Sequence, residues 1–183
     1  IYDTAEIDEK IGRVDRLLPP RKGGFHEGRA AGDFTHYGDQ TLALLESMAE
    51  AGRFDLAAFA RRWQTLFAGY TGYFDHATTE TLEGVAAGKG PEKAGSNSTD
   101  LGGAARIAPI VYACAEDVEA MVDAARQQTA MTHRAEPVVR AAEFLARVAH
   151  RVLSGSAPAE AATAVRDDGF FRGDFGMWIE DGL

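Results

Sequence analysis

The sequence predicts an all-α domain of about seven helices. Three observations carry that prediction. Apolar residues recur three to four positions apart in most of the chain, as in Leu56, Phe59, Ala60, Trp63, Leu66 and Phe67. No stretch shows the strict alternation of a half-buried strand. Glycines, prolines and capping aspartates fall where helices would stop and start.

Taken in order, residues 1–18 carry Ile7, Ile11 and Val14 at helical spacing, a weak helix with acidic residues early. Pro19-Pro20-Arg21-Lys22-Gly23-Gly24 ends any regular element, since proline removes a donor and glycine removes rigidity. Loop-like sequence follows, with turn material at Glu27-Gly28-Arg29 and Gly32-Asp33. A central helix is expected over 39–51, burying Leu42, Leu45, Met48 and Ala49 and closing at Gly52. Asp55 is placed to cap the next helix, with the aromatic stripe through Trp63 as core. Tyr70, Tyr73 and Phe74 sit in a turn, after which Asp75-His76 opens a helix to about 87. A run from Leu101 to Val111 follows, then an amphipathic helix through Val118, Met121, Val122 and Ala125 that ends near Thr132-His133. A long helix starts near Glu136, with Pro137 in its first turn and Val138, Ala141, Leu145, Val148 and Val152 inward, and stops at Gly155. A last helix from Pro158 leads to a glycine- and aromatic-rich tail, Gly169 through Trp178. The organisation expected is one helical domain over 1–183, with a loop-rich lead-in to 38 and a helical core over 39–168. The start at Ile1 rather than Met suits a chain incomplete at its ends.

Composition narrows the function. A net charge of −9 and a pI near 5.0 leave no basic stripe to displace counterions from phosphates, which argues against nucleic acid. The single cysteine, Cys114, permits neither an internal disulfide nor a cysteine-rich metal site, so a reducing, cytoplasmic setting is expected. No apolar run is long enough to span a bilayer, and no membrane partner is expected.

Two polar knots stand out. In the first, Gly38 allows a tight turn, and Asp39, Gln40 and Thr41 bring a carboxylate, an amide and a hydroxyl to a helix start. The plain alternative is that Asp39 or Thr41 only caps the helix. The second knot, Ser96-Asn97-Ser98-Thr99-Asp100, runs into Leu101-Gly102-Gly103-Ala104, whose small residues allow close approach by a helix or a ligand. Gly88-Lys89-Gly90 lacks the spacing of a phosphate loop. His36, His76, Glu80 and Glu83 could form a metal cluster only by chance of folding.

In their order, these motifs resemble the ADP-ribosylglycohydrolase family. That family's metal-binding sequence, Thr-Asp-Asp-Thr leading into a buried helix, is similar to Gly38-Asp39-Gln40-Thr41. Its later Ser/Asn/Gly loop running into Met-Arg-x-Ala-Pro resembles Ser96-Asn97-Ser98 followed by Ala105-Arg106-Ile107-Ala108-Pro109. Thr132-His133 matches the Thr-His pair that ends the next helix, so the resemblance spans about 34–153. It implies a multi-helix orthogonal bundle and a hydrolase holding two magnesium ions. The reaction implied is removal of ADP-ribose from a protein side chain or a related ADP-ribosyl compound. Asp39 would be anionic ligand and water base, with Gln40 and Thr41 as neutral ligands. Ser96, Asn97, Ser98, Asp100, Arg106 and His133 would contact substrate. The plain alternatives are that the serines and Asn97 only form a turn, Asp100 caps the helix after it, Arg106 pairs with a carboxylate and holds the loop, and His133 is a favourable partner for a helix dipole. The chain departs from the family at Gly38, which has no side-chain oxygen, and at Gln40, which has no charge. The family's acidic N-terminal helix and late Asp-rich motif have no counterpart in residues 1–183, as in an internal portion or a reduced member. The alternatives are a non-catalytic member that binds a nucleotide-like ligand or a protein partner, and a purely structural helical domain.

Overall fold

The computed structural model describes residues 4–169 and residue 171. The expected tail up to Trp178 therefore lies, apart from Gly169 and Phe171, outside the described residues. The chain divides into two compact units, residues up to 35 and residues from 36 on. The first contains α1 (Thr4–Lys10), shorter than the helix expected over 1–18 because Gly12 turns at φ +67°. Its later turns are closed by side chains: Glu27 Oε2 accepts from Gly23 N at 2.8 Å and Asp33 Oδ2 from Ala30 N at 2.7 Å.

The second unit carries α2 (His36–Ala51), α3 (Leu56–Ala68), α4 (His76–Ala86) and α5 (Gly102–Ala105). It continues with α6 (Ala108–Ala113), α7 (Val118–Ala130), α8 (Glu136–Leu153) and α9 (Pro158–Asp167). Among the described residues there is no strand, only an isolated parallel bridge between Ser96 and His133. The architecture is all-α.

Local chemistry sets the boundaries. Asp55, Asp75 and Asp117 cap α3, α4 and α7, accepting from Ala58 N at 2.8 Å, Thr78 N at 2.6 Å and Ala120 N at 3.0 Å. Gly52 and Gly155, at φ +70° and +102°, follow the ends of α2 and α8. The single run expected from Leu101 to Val111 is two short helices. Pro109 near the start of α6 offers no N–H to Ala105 and crowds its carbonyl, so α5 ends there. That break helps raise the helix count above seven.

Two expected inward faces are corrected. On α2 the buried residues are His36, Gln40, Ala43, Leu44, Ser47 and Met48, while Leu42 and Leu45 are exposed. On α8 they are Val138, Val139, Ala142 and Ala146, and Leu145 is exposed. Both helices turn a smaller or more polar face inward. On α8, alanines let the neighbouring helices close in; on α2, the polar residues find buried partners. The core gathers Leu44, Met48, Phe59, Trp63, Phe67, Ile110, Met121 and Val138. At its margin Arg147, also paired with Glu143 on its own helix, bridges α8 to Glu119 of α7.

Candidate functional site

The first polar knot lies inside α2 rather than at its start. The helix begins at His36, whose buried imidazole Nε2 is 3.0 Å from Asp75 Oδ2. Burial alone would raise the Asp75 carboxyl. Hydrogen bonds from His36 and Thr78 outweigh it and hold that carboxyl well below the usual range.

With three residues of helix ahead of it, Asp39 is not the N-cap, and neither is Thr41. Its Oδ2 accepts from the Tyr70 hydroxyl at 2.6 Å. Gln40 is 2 % exposed, and its Oε1 accepts from Trp63 Nε1 and from Arg106 Nη1, each at 2.8 Å. Thr41 Oγ1 donates to its own helix at Tyr37 O, 2.9 Å away. Consecutive helical residues are rotated by about 100°, so these three side chains fan apart.

Tested as a magnesium ligand set, the trio does not fit. A carbonyl oxygen has two lone pairs, and both of Gln40's are engaged, one of them by a cation. Thr41 turns its hydroxyl into the backbone. Among the described residues no group of three or more His, Cys, Asp or Glu could hold a metal ion. His36 pairs with Asp75 and His76 with Glu80 at 3.2 Å, so the His36, His76, Glu80, Glu83 cluster does not assemble.

In the second knot the groups bind one another. Ser96 is buried, its hydroxyl bonded to Glu80 and accepting from Ser98 N at 2.9 Å. Ser98 Oγ donates to Asp100 Oδ2 at 2.5 Å, and Asp100 Oδ1 accepts from Gly102 N at 2.8 Å. Asn97 is exposed. Ser96 N donates to Thr132 O at 3.0 Å and Arg134 N to Ser96 O at 2.6 Å, which ties this loop to the end of α7.

Arg106 joins the knots. It is 2 % exposed; Nε donates to Gln128 Oε1 at 2.9 Å, Nη1 to Gln40, and Nη2 to Gln128 O at 3.3 Å and to Thr132 Oγ1. Its guanidinium lies over the Phe59 ring, 5.7 Å from the centroid. Burial lowers its pKa to about 10, against the pull of Asp75 and Asp100, so it stays charged at neutral pH.

Because a guanidinium only donates, it fixes the direction of the next bonds. Thr132 Oγ1 accepts from Arg106 and gives its proton to His133 Nδ1 at 2.8 Å. His133 Nε2 then carries the proton and donates to Asp100 Oδ1 at 3.0 Å. Burial and the Arg106 charge push His133 below its ordinary value against Asp100, which agrees with a neutral ring. Asp100 stays ionised, its own burial outweighed by Ser98, Gly102 and His133. His133 is thus a buried link rather than a group at a helix end awaiting a ligand.

The closeness of α5 is used by protein, not by open space. A Cβ on Gly103 would sit 2.8 Å from His133 Nδ1, and one on Gly102 2.6 Å from Tyr37 Cε1. Tyr37, on the first turn of α2, therefore abuts the loop that ends in Asp100, and both keep exposed surface. Burial, with Asp100 and Asp75 nearby, raises the Tyr37 phenol.

The structure thus joins 36–40, 96–106 and 132–133, with Tyr37 and Gln40 making the link and Asp39 bonded to Tyr70. Sequence reasoning gave no role at this site to Tyr70, Trp63, Asp75 or Gln128. Of these, Gln128 left a signal, an amide in helical register with Met121, Ala124 and Ala125.

Fold and site together define an all-helical domain that gathers its polar residues where the first turn of one helix meets a loop and the end of another. The chain belongs to the ADP-ribosylglycohydrolase family, whose family model matches residues 2–173. No curated protein matches the chain.

Proposed function

We propose that this protein is a hydrolase that removes ADP-ribose from a protein side chain or from a related ADP-ribosyl compound. The observation that supports the reading is the hydrogen-bond path from Gln40 through Arg106, Thr132 and His133 to Asp100, which links three sequence-distant family motifs. Asp39, oriented by Tyr70, is the proposed base: it takes a proton from the water whose oxygen bonds the anomeric carbon. The bond to the leaving group breaks with its electron pair leaving on that group, which takes up a proton, through an oxocarbenium-like transition state. Tyr37 and Asp100, on the exposed rim, would border the ligand, with Asn97 beside them. Ser96, Ser98, Arg106 and His133 position this rim from behind it. Magnesium, expected from the family, enters none of these steps. A reducing, cytoplasmic setting goes with the lone Cys114, and no helix among the described residues is long and apolar enough to cross a membrane.

The test is release of ADP-ribose from an ADP-ribosylated protein. Asp39→Asn should slow it by about 100-fold or more while leaving the fold intact. Unchanged release would remove Asp39 from the chemistry. A second reading, a non-catalytic member that binds a nucleotide-like ligand or a protein partner, is favoured by the engagement of Gln40 with Trp63 and Arg106. Tight ADP-ribose binding without turnover by the intact chain would select it. Absence of both would leave the structural helical domain.

A further inference from the structure

We infer that residues 39–41 hold no divalent cation in this chain, and that the buried guanidinium of Arg106 is the fixed positive charge at this site, so that anionic ligands bind there independently of magnesium. The nature of the ligand rests on the function proposed above; the metal part does not.

Three features of the geometry lead here. Residues 39–41 lie within α2, so their side chains diverge instead of converging on one ion. Gln40 Oε1 faces two donors at 2.8 Å, one on a guanidinium whose charge would repel a dication bound to the same oxygen. The partners of Arg106 are all neutral: Gln40, the Gln128 side chain and carbonyl, and Thr132. Among the described residues no carboxylate pairs directly with it; Asp75 and Asp100 act on it from further away. With only neutral acceptors bonded to it, the guanidinium is not cancelled by a contact ion pair, and the network it starts runs through Thr132 and His133 to Asp100, which keeps exposed surface. A magnesium centre would supply mobile positive charge at such a place, whereas here the charge is covalent and buried.

Calorimetric titration of the intact chain with magnesium alone decides the metal part. No saturable heat is expected in the millimolar range. Binding with a Kd below about 1 mM that Asp39→Asn abolishes overturns the inference, while binding that survives Asp39→Asn lies elsewhere and leaves it standing. ADP-ribose affinity in excess EDTA and in excess magnesium should agree within about twofold, and a tenfold gain with magnesium overturns it. The charge part is read with Gln40→Glu, which neutralises Arg106 without deleting the network. ADP-ribose binding should weaken about tenfold, and unchanged affinity in a folded variant overturns it. If ADP-ribose does not bind in either buffer, the proposed function fails, and the magnesium titration still decides the metal question.

Discussion

At residues 39–41 a carboxylate, an amide and a hydroxyl sit inside a helix and fan away from one another, each toward a different partner. At residues 96–100 the same kinds of groups sit in a loop and fold back onto each other, onto Gly102 N and onto His133. One helix turn can present such groups only in different directions, whereas an irregular loop can bring them together. The junction between the two is Arg106, the one side chain long and donor-rich enough to reach Gln40, Gln128 and Thr132 at once. The two knots are therefore not two halves of a ligand set. Of the first knot only Gln40 is buried in the core, with Asp39 and Thr41 half-buried, while the second knot is largely rim.

Removing the junction should give the largest effect. Arg106→Met leaves the buried Gln128 and Thr132 oxygens without their guanidinium donor and should cost about 3 kcal/mol, read from urea unfolding midpoints. A loss within error would mean that the two knots are not coupled through it. Gly103→Ala comes next. Its methyl would meet His133 Nδ1 at 2.8 Å, so about 2 kcal/mol of overpacking is expected, with the loop displaced from α7.

A smaller effect is expected in the pH dependence of stability. His133 is held neutral in the folded state, so the unfolded chain binds its proton first as pH falls below the ordinary 6.5. This contribution to stability is whole above that pH, is lost as pH drops through it, and levels off at the lower folded value. His133→Gln should flatten that slope. A second loss, from Asp75, begins only as pH falls below its ordinary 3.8, because its folded value is depressed. Melting temperatures from about pH 8 to about pH 3, with and without the His133 change, separate the first loss from the onset of the second. The smallest change is expected from Thr41→Val, which deletes only a back-bond to Tyr37 O and should alter stability by less than about 0.5 kcal/mol and leave ADP-ribose release unchanged. A large drop in release would restore Thr41 as a ligand.

Much of the scaffold could be read directly. The caps at Asp55 and Asp75, the stops at Gly52 and Gly155 and the start near Pro137 follow from local backbone chemistry and need no neighbours. The aromatic stripe through Phe59, Trp63 and Phe67 also fell where expected, because large rings have few places to go but the core. The face of α2 did not. Leu42 and Leu45 look like core by period, yet the helix buries Gln40 and Ser47 instead. The indole of Trp63 and the guanidinium of Arg106, 23 and 66 residues further along, are what make Gln40 acceptable inside. For the same reason α2 starts three residues before the expected 39, since His36 is fixed by Asp75, 39 residues away.

By itself the sequence determined that the chain is helical, where most helices begin and end, and which family motifs it carries in which order, since caps, periods and glycine turns act over a few residues. Only the tertiary structure decided which way those motifs face. Whether a buried amide or imidazole is core or site depends on donors and acceptors brought from far along the chain, and a residue's nearest partners in space are not its neighbours in sequence.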